Sequence, residues 1–201
     1  MIDIFAKHAA LRAAYDGLTA VSPRNPFEVV IERPLSATVG LIEGRETLLF
    51  GTNNYLGLSQ SGHAAEAAIE TARTMGVGTT GSRIANGTFG LHRKLEERLA
   101  SFFGRKHCMV FSTGYQANLG TISALVNKDD VLRLDADSHA GIPDGANMSG
   151  AQVIRFRHND PVALEKRLKR LIDHTGPKLI IPEGIHSMTG NDAPLENLAE
   201  H

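Results

Sequence analysis

The chain has 201 residues, 42 % hydrophobic and 21 % charged, enough to bury a core and too apolar for a disordered tail. Lys plus Arg (21) nearly balances Asp plus Glu (22), so no polyanion-binding surface is expected and nucleic acid is not an expected partner. Cys108 is the sole cysteine, which excludes an internal disulfide and a cysteine-built zinc centre, and no apolar run reaches the roughly 18–20 residues of a bilayer-spanning helix. The amphipathic start lacks the apolar stretch of a signal peptide, so a reducing, cytoplasmic setting is the expectation.

Ile4, Phe5, His8, Leu11, Arg12 and Tyr15 fall near helical spacing, with Gly17 expected to close that helix. Pro23, Pro26 and Pro34 read as breakers. Residues 38–42 and 47–50 flank Glu43-Gly44 as a hairpin leading into the string Gly51-Thr-Asn-Asn-Tyr-Leu-Gly-Leu58. Ser61 can cap a helix over 63–75, and 89–103 repeats the helical spacing with Leu91, Leu95, Leu99 and Phe102. Strand and helix then alternate. Strands are expected at 107–112, 131–135, 153–156 and 178–182, and helices at 116–125, 139–148 and 161–172. Pro161 starts the last of these with Asn159 or Asp160 as its cap. That alternation predicts an α/β fold, a mainly parallel sheet with helices on both faces. A further helix begins near Pro194, Leu195 and Leu198 without a closing glycine or proline, so the chain reads as cut rather than finished.

Gly76-Val-Gly-Thr-Thr-Gly81 has the spacing of a dinucleotide loop, but a helix precedes it where that chemistry needs a strand. A P-loop fails as well, because Arg83 follows Ser82 where Lys then Ser/Thr is required. Close backbone approach is the better reading of these glycines. Asp135, Asp137 and His139 alternate at a strand end. They lack the later glutamate of a calcium loop, and a structural or ligand-facing role is favoured over a metal. In Phe111-Ser-Thr-Gly-Tyr-Gln-Ala-Asn118 an apolar strand runs through Ser-Thr-Gly straight into a helix. Free amides at such a start form a cup for a phosphate; a plainly capped helix fits the same spacing. His186-Ser187 lacks the G-x-S-x-G elbow of a hydrolase, and Arg155 and Arg157 suit a solvated strand edge.

Taken together, five strings resemble the α-oxoamine synthase family of pyridoxal-phosphate enzymes. They are Gly51 to Leu58, Gly81-Ser-Arg with Asn86-Gly-Thr-Phe89, Phe111 to Asn118, Asp135-Ala-Asp-Ser-His-Ala140, and Glu183-Gly-Ile-His-Ser-Met188. The resemblance implies a type I aminotransferase-like fold. Residues 1–58 would form an N-terminal helix, hairpin and connecting segment, and residues 59–201 the first part of the large cofactor-binding domain. It also implies a homodimer, pyridoxal 5'-phosphate as cofactor, and decarboxylative condensation of an amino acid with an acyl-CoA. Asp135 to His139 and Arg155-Phe-Arg-His-Asn159 look most like the branch that joins L-serine to palmitoyl-CoA, giving 3-ketodihydrosphingosine, CoA and CO2. The 8-amino-7-oxononanoate, 5-aminolevulinate and 2-amino-3-ketobutyrate enzymes share most of the strings.

By the same resemblance, Gly114 and Tyr115 hold the cofactor phosphate and His139 stacks on the pyridine ring, orienting the substrate carboxylate. Glu183 and Ser187 lie beside the ring. Asn53, or Asn54 if the register slips by one, binds the amino-acid carboxylate, and Ser82-Arg83 lies near the active site and subunit boundary. The family's Schiff-base lysine and the aspartate on the pyridine nitrogen lie further along than His201, and none of the seven lysines here sits in a matching context. The expectation is therefore a front half that is inactive alone, the alternative being a non-catalytic binding protein.

Overall fold

The computed structural model describes residues 3–22 and 29–200; Pro23 and Pro26 lie outside them. The chain divides into two compact units, Met1–Thr80 and Gly81–His201.

In the first unit, α1 (Ala9–Val21) follows one 3-10 turn and runs straight through Gly17. The expected stop at Gly17 is wrong: a glycine weakens a helix interior by about 1 kcal/mol but ends it only where the backbone turns away, here at Ser22. Strands β1 (Arg33–Pro34), β2 (Val39–Ile42) and β3 (Arg45–Leu48) form an antiparallel sheet in that order. Glu43 (φ 49°) and Gly44 (φ 71°) make the β2–β3 turn, and two successive positive φ values match the twist of a two-residue hairpin. Pro34 does not break regular structure. It sits on the edge strand, opposite Gly40, where no ladder donor is demanded of it. Helix α2 (Gly62–Met75) is capped as expected by Ser61, whose Oγ accepts from the Ala64 amide.

The second unit begins with α3 (Gly90–Phe102) and α4 (Gly114–Leu125). Then β4 (Val131–Asp135), α5 (Gly141–Ser149), β5 (Gln152–Phe156), α6 (Pro161–Lys169), β6 (Lys178–Ile181) and α7 (Leu195–Ala199) alternate. The sheet is parallel, ordered β5-β4-β6, with Leu132 paired to Val153 and Leu179. Every residue of the central strand is buried, as a strand covered on both faces requires. Leu132 and Leu134 pack with Ile122 of α4, with Val126 just past its end, and with Ile142 and Ala146 of α5. The alternate residues face the other way, where Phe156 and Ile180 meet Leu164 of α6 and Leu198 of α7. Glycine sets the α4–α5 spacing: a Cβ on Gly145 would stand 3.1 Å from Ile122 Cβ and 3.2 Å from the Asn118 carbonyl. Among the described residues, no helix is long and apolar enough to cross a membrane.

Residues 107–112 depart from the expectation of a strand. They make no ladder pairing among the described residues, and the Val110 amide donates to Glu96 Oε1 instead (3.2 Å). Apolar alternation shows that a segment suits a sheet, but pairing needs a neighbouring strand.

Leu164 is fully buried, whereas Val162 on the same helix is 56 % exposed. Leu164→Ala should therefore cost about 2–5 kcal/mol of stability. Val162→Ala should stay within about 0.5 kcal/mol. Urea midpoints for both variants check the assignment of the buried face.

Candidate functional site

Functional groups collect at the carboxyl edge of the parallel sheet, where open α/β sheets bind their ligands. Asp135 ends β4, His158 lies two residues past β5, and Glu183 and His186 follow β6. Asp135 is 2 % exposed. Its Oδ1 accepts from the Asp137 amide (2.9 Å) and meets His158 Nδ1 at 2.9 Å, while Oδ2 accepts from the Asn159 amide (2.8 Å). Burial pushes the carboxyl up, but those two amides and His158 outweigh it, so the group is held below its ordinary value.

His139 is exposed on the loop between β4 and α5. Its amide donates to Glu183 Oε1, joining the loop after β4 to the loop after β6. Its Nδ1 accepts from the Gly141 amide (3.1 Å), which makes the neutral ring the Nε2–H tautomer. The expected pair His139 and Glu183 is thus brought together. Ser187 is exposed beside His186.

Helix α4 begins at Gly114 with Thr113 as its cap, Thr113 Oγ1 accepting from the Gln116 amide (3.1 Å). The Ala117 amide goes to the Thr113 carbonyl. The amides of Gly114 and Tyr115 keep no partner among the described residues, and nothing stands within 4 Å of where a Gly114 Cβ would be. Open space over two free amides at a helix start fits an anionic phosphate. Tyr115 leans toward α5: its hydroxyl donates to Asp144 Oδ2 (2.7 Å), and that bond, with desolvation, holds the phenol above its ordinary value. A Cβ on Gly141 would come within 3.1 Å of the Tyr115 ring, so only glycine lets the two elements approach.

The glycine-rich stretch closes on itself. A Cβ on Gly87 would lie 1.8 Å from the Gly81 carbonyl oxygen, and Thr88 Oγ1 donates to the Arg83 carbonyl (2.7 Å). Arg83 Nη2 reaches Glu96 Oε1 (2.7 Å) on α3, and that bond together with the Val110 amide holds the Glu96 carboxyl below its ordinary value. Close approach therefore holds for Gly81 and Gly87, whereas nothing lies within 4 Å of where a Cβ on Gly76 or Gly78 would be, so the reading fails for those two glycines.

Asn53 and Asn54 belong to the first unit. Asn54 is committed at both ends of its amide, donating to the Ala37 carbonyl (3.2 Å) and accepting from the Ser59 amide (3.2 Å). Asn53 is exposed, and its Oδ1 accepts from the Tyr55 hydroxyl at 3.4 Å. Sequence reasoning missed one constellation: His186 is 2 % exposed, and its ring stacks edge-on against His158 with centroids 4.4 Å apart. Nothing local in the sequence marks His158 and His186 as neighbours; the parallel order β5-β4-β6 brings their loops to one edge of the sheet.

Residues 45–200 match the aminotransferase class I and II family, and the chain belongs to it. Within that family, it is 55 % identical over 196 residues to a serine palmitoyltransferase of Caulobacter vibrioides, covering 98 % of this chain and 48 % of the relative. A serine palmitoyltransferase of Sphingomonas paucimobilis is 42 % identical over 98 % of this chain and 46 % of its own. A putative 8-amino-7-oxononanoate synthase of Acetivibrio thermocellus is 44 % identical over 80 % of this chain and 41 % of its own. Among solved structures, Sphingomonas wittichii serine palmitoyltransferase superposes with TM-score 0.93 at 44 % identity, covering 99 % of this chain and 50 % of that one. The chain spans about half the length of the curated relatives it matches. The type I aminotransferase-like fold expected from the sequence is therefore present.

Because the folded Asp135 carboxyl lies below its ordinary value, the stability it confers is complete above the unfolded value near ~3.9 and is lost as pH falls through the folded one. Asp135→Asn turns an NH2 or a weaker acceptor toward two backbone donors and should cost about 1–3 kcal/mol at pH 7. That difference should shrink steadily on acidification below pH ~4. Urea unfolding of both proteins across that range is the check; a difference independent of pH contradicts the assignment.

Proposed function

We propose that this chain supplies the cofactor-phosphate and ring-stacking parts of a serine palmitoyltransferase: an enzyme that condenses L-serine with a long-chain acyl-CoA, releasing CO2 and CoA and forming 3-ketodihydrosphingosine. The observation that carries the reading is the extent of the likeness. The Caulobacter and Sphingomonas serine palmitoyltransferases match over 196 residues, whereas the Acetivibrio 8-amino-7-oxononanoate synthase matches over 160. Another α-oxoamine synthase, using a different amino acid or acyl-CoA, is the second reading.

Pyridoxal 5'-phosphate is the cofactor; a serine palmitoyltransferase solved with it, as an internal aldimine, superposes on this chain with TM-score 0.94 at 42 % identity. When bound, it supplies the electron sink that lets an amino acid lose a bond at its α-carbon. The roles of the chain's residues are those the resemblance implies, and their own contacts support them. The Gly114 and Tyr115 amides donate to the phosphate, reinforced by the positive end of α4. Asp144 and Gly141 hold the Tyr115 ring in place from α5. His139 would stack on the cofactor ring, and its Nε2–H, left free by the Gly141 bond, would donate to the substrate carboxylate. Glu183 holds the His139 backbone still, so that the imidazole plane is fixed before substrate arrives. Ser187 offers a hydroxyl beside the ring. Asn53 is the better carboxylate ligand of the two asparagines, because it is exposed, whereas Asn54 is held at both ends of its amide by Ala37 and Ser59. A homodimer in the cytoplasm completes the reading.

The test is CoA release by the complete gene product, with serine, glycine or alanine offered against palmitoyl-CoA and shorter acyl-CoAs. Serine with palmitoyl-CoA should be preferred; preference for another amino acid or a short acyl chain selects the second reading. His139→Ala should lower kcat/KM by about a hundredfold or more, the cost of losing a substrate-positioning contact. Unchanged turnover overturns the stacking role.

A further inference from the structure

Asp135, His158 and His186 each offer a ligand atom, and these atoms lie within 4.8 Å of one another. Asp135 ends β4, and His158 and His186 lie in the loops that follow its two parallel neighbours, β5 and β6. Among the described residues, neither ring nitrogen of His186 has a hydrogen-bond partner, although the residue is 2 % exposed, and Nε2 of His158 is likewise buried without one. Leaving such buried groups unsatisfied costs about 1–3 kcal/mol each, so the arrangement asks for a ligand. We propose that Asp135, His158 and His186 bind a divalent first-row transition-metal cation of the zinc class, a site independent of the cofactor reading.

The donor set selects the cation. Two imidazoles and one carboxylate suit zinc, cobalt or nickel, whereas calcium and magnesium demand oxygen ligands. Both ends of the site are held by backbone. The Asp137 and Asn159 amides fix Asp135, and the His186 amide donates to the Asn191 carbonyl (3.0 Å) while its carbonyl accepts from Gly190 (2.8 Å). Asp137 Oδ2, 3.8 Å from His158 Nδ1 and half exposed, is placed to take a further position or to hold a bound water. Ligands carried by rigid strand ends need little reorganisation on binding.

The experiment is titration of the purified chain, stripped with chelator, with Co2+ followed by visible d–d absorption. Saturation at one ion per chain, with the band removed by added Zn2+, is expected. His186→Phe keeps the ring and its stacking but removes the donors. It should weaken binding beyond the roughly 10–100-fold that changes outside the ligand set cost. His63→Phe, on the exposed face of α2, should leave it unchanged. X-ray absorption of the zinc-loaded unmodified chain decides even if His186→Phe does not fold: two imidazoles per zinc support the site. No saturable binding, affinity indifferent to His186→Phe, or fewer than two imidazoles overturns it.

Discussion

Asp135 closes the central strand with its carboxylate almost wholly withdrawn from water, and its oxygens gather the amides of Asp137 and Asn159 and the ring of His158. A buried anion is tolerable only with such partners, and here they come from the loops after both β4 and β5. Those bonds fix where the backbone goes next. After β4 it turns through Ser138, whose Oγ donates to the Asp135 carbonyl, and presents His139. After β5 it passes through Asn159 in a left-handed conformation (φ 50°) into the Asp160 cap of α6. The Asn159 side chain then reaches the Asp192 carbonyl, tying in the segment beyond β6. One carboxylate thus organises all three strand ends that carry the functional groups.

Packing works from the opposite side of the same residues. Alternation along β4 sends Leu132 and Leu134 toward α4 and α5 and Arg133 and Asp135 the other way. Gly141 and Gly145 let α5 press against α4, so the start of α4 and the His139 loop share one rigid frame. Arg133 is the costly member of this frame. It is buried, its Nη2 donates to the Arg167 carbonyl (2.6 Å), and burial pulls its guanidinium below the ordinary value.

Much of this was legible in the chain. Local signals found the Glu43-Gly44 turn, the Ser61 and Asp160 caps, and the alternation of strand and helix from α4 to β6, because each depends on a few neighbouring residues. Errors arose where a distant partner decides. Gly17 reads as a stop although no turn follows it, Pro34 as a breaker although an edge strand accepts it, and residues 107–112 as a strand although no described neighbour pairs with them. At the site, the helix start at Gly114 is open and the His139 amide donates to Glu183 Oε1. His158 and His186 escaped it because residues 28 positions apart meet only through strand order, which no local pattern encodes.

The central claim is that the start of α4 is the phosphate-binding element of a pyridoxal-phosphate site. Amide nuclear magnetic resonance of the isotope-labelled chain, titrated with pyridoxal 5'-phosphate, tests it most directly. Saturable shifts centred on the Gly114 and Tyr115 amides, and absent when pyridoxal without phosphate is added, are the predicted result. Shifts centred on another element, or equal shifts with and without the phosphate, would contradict it.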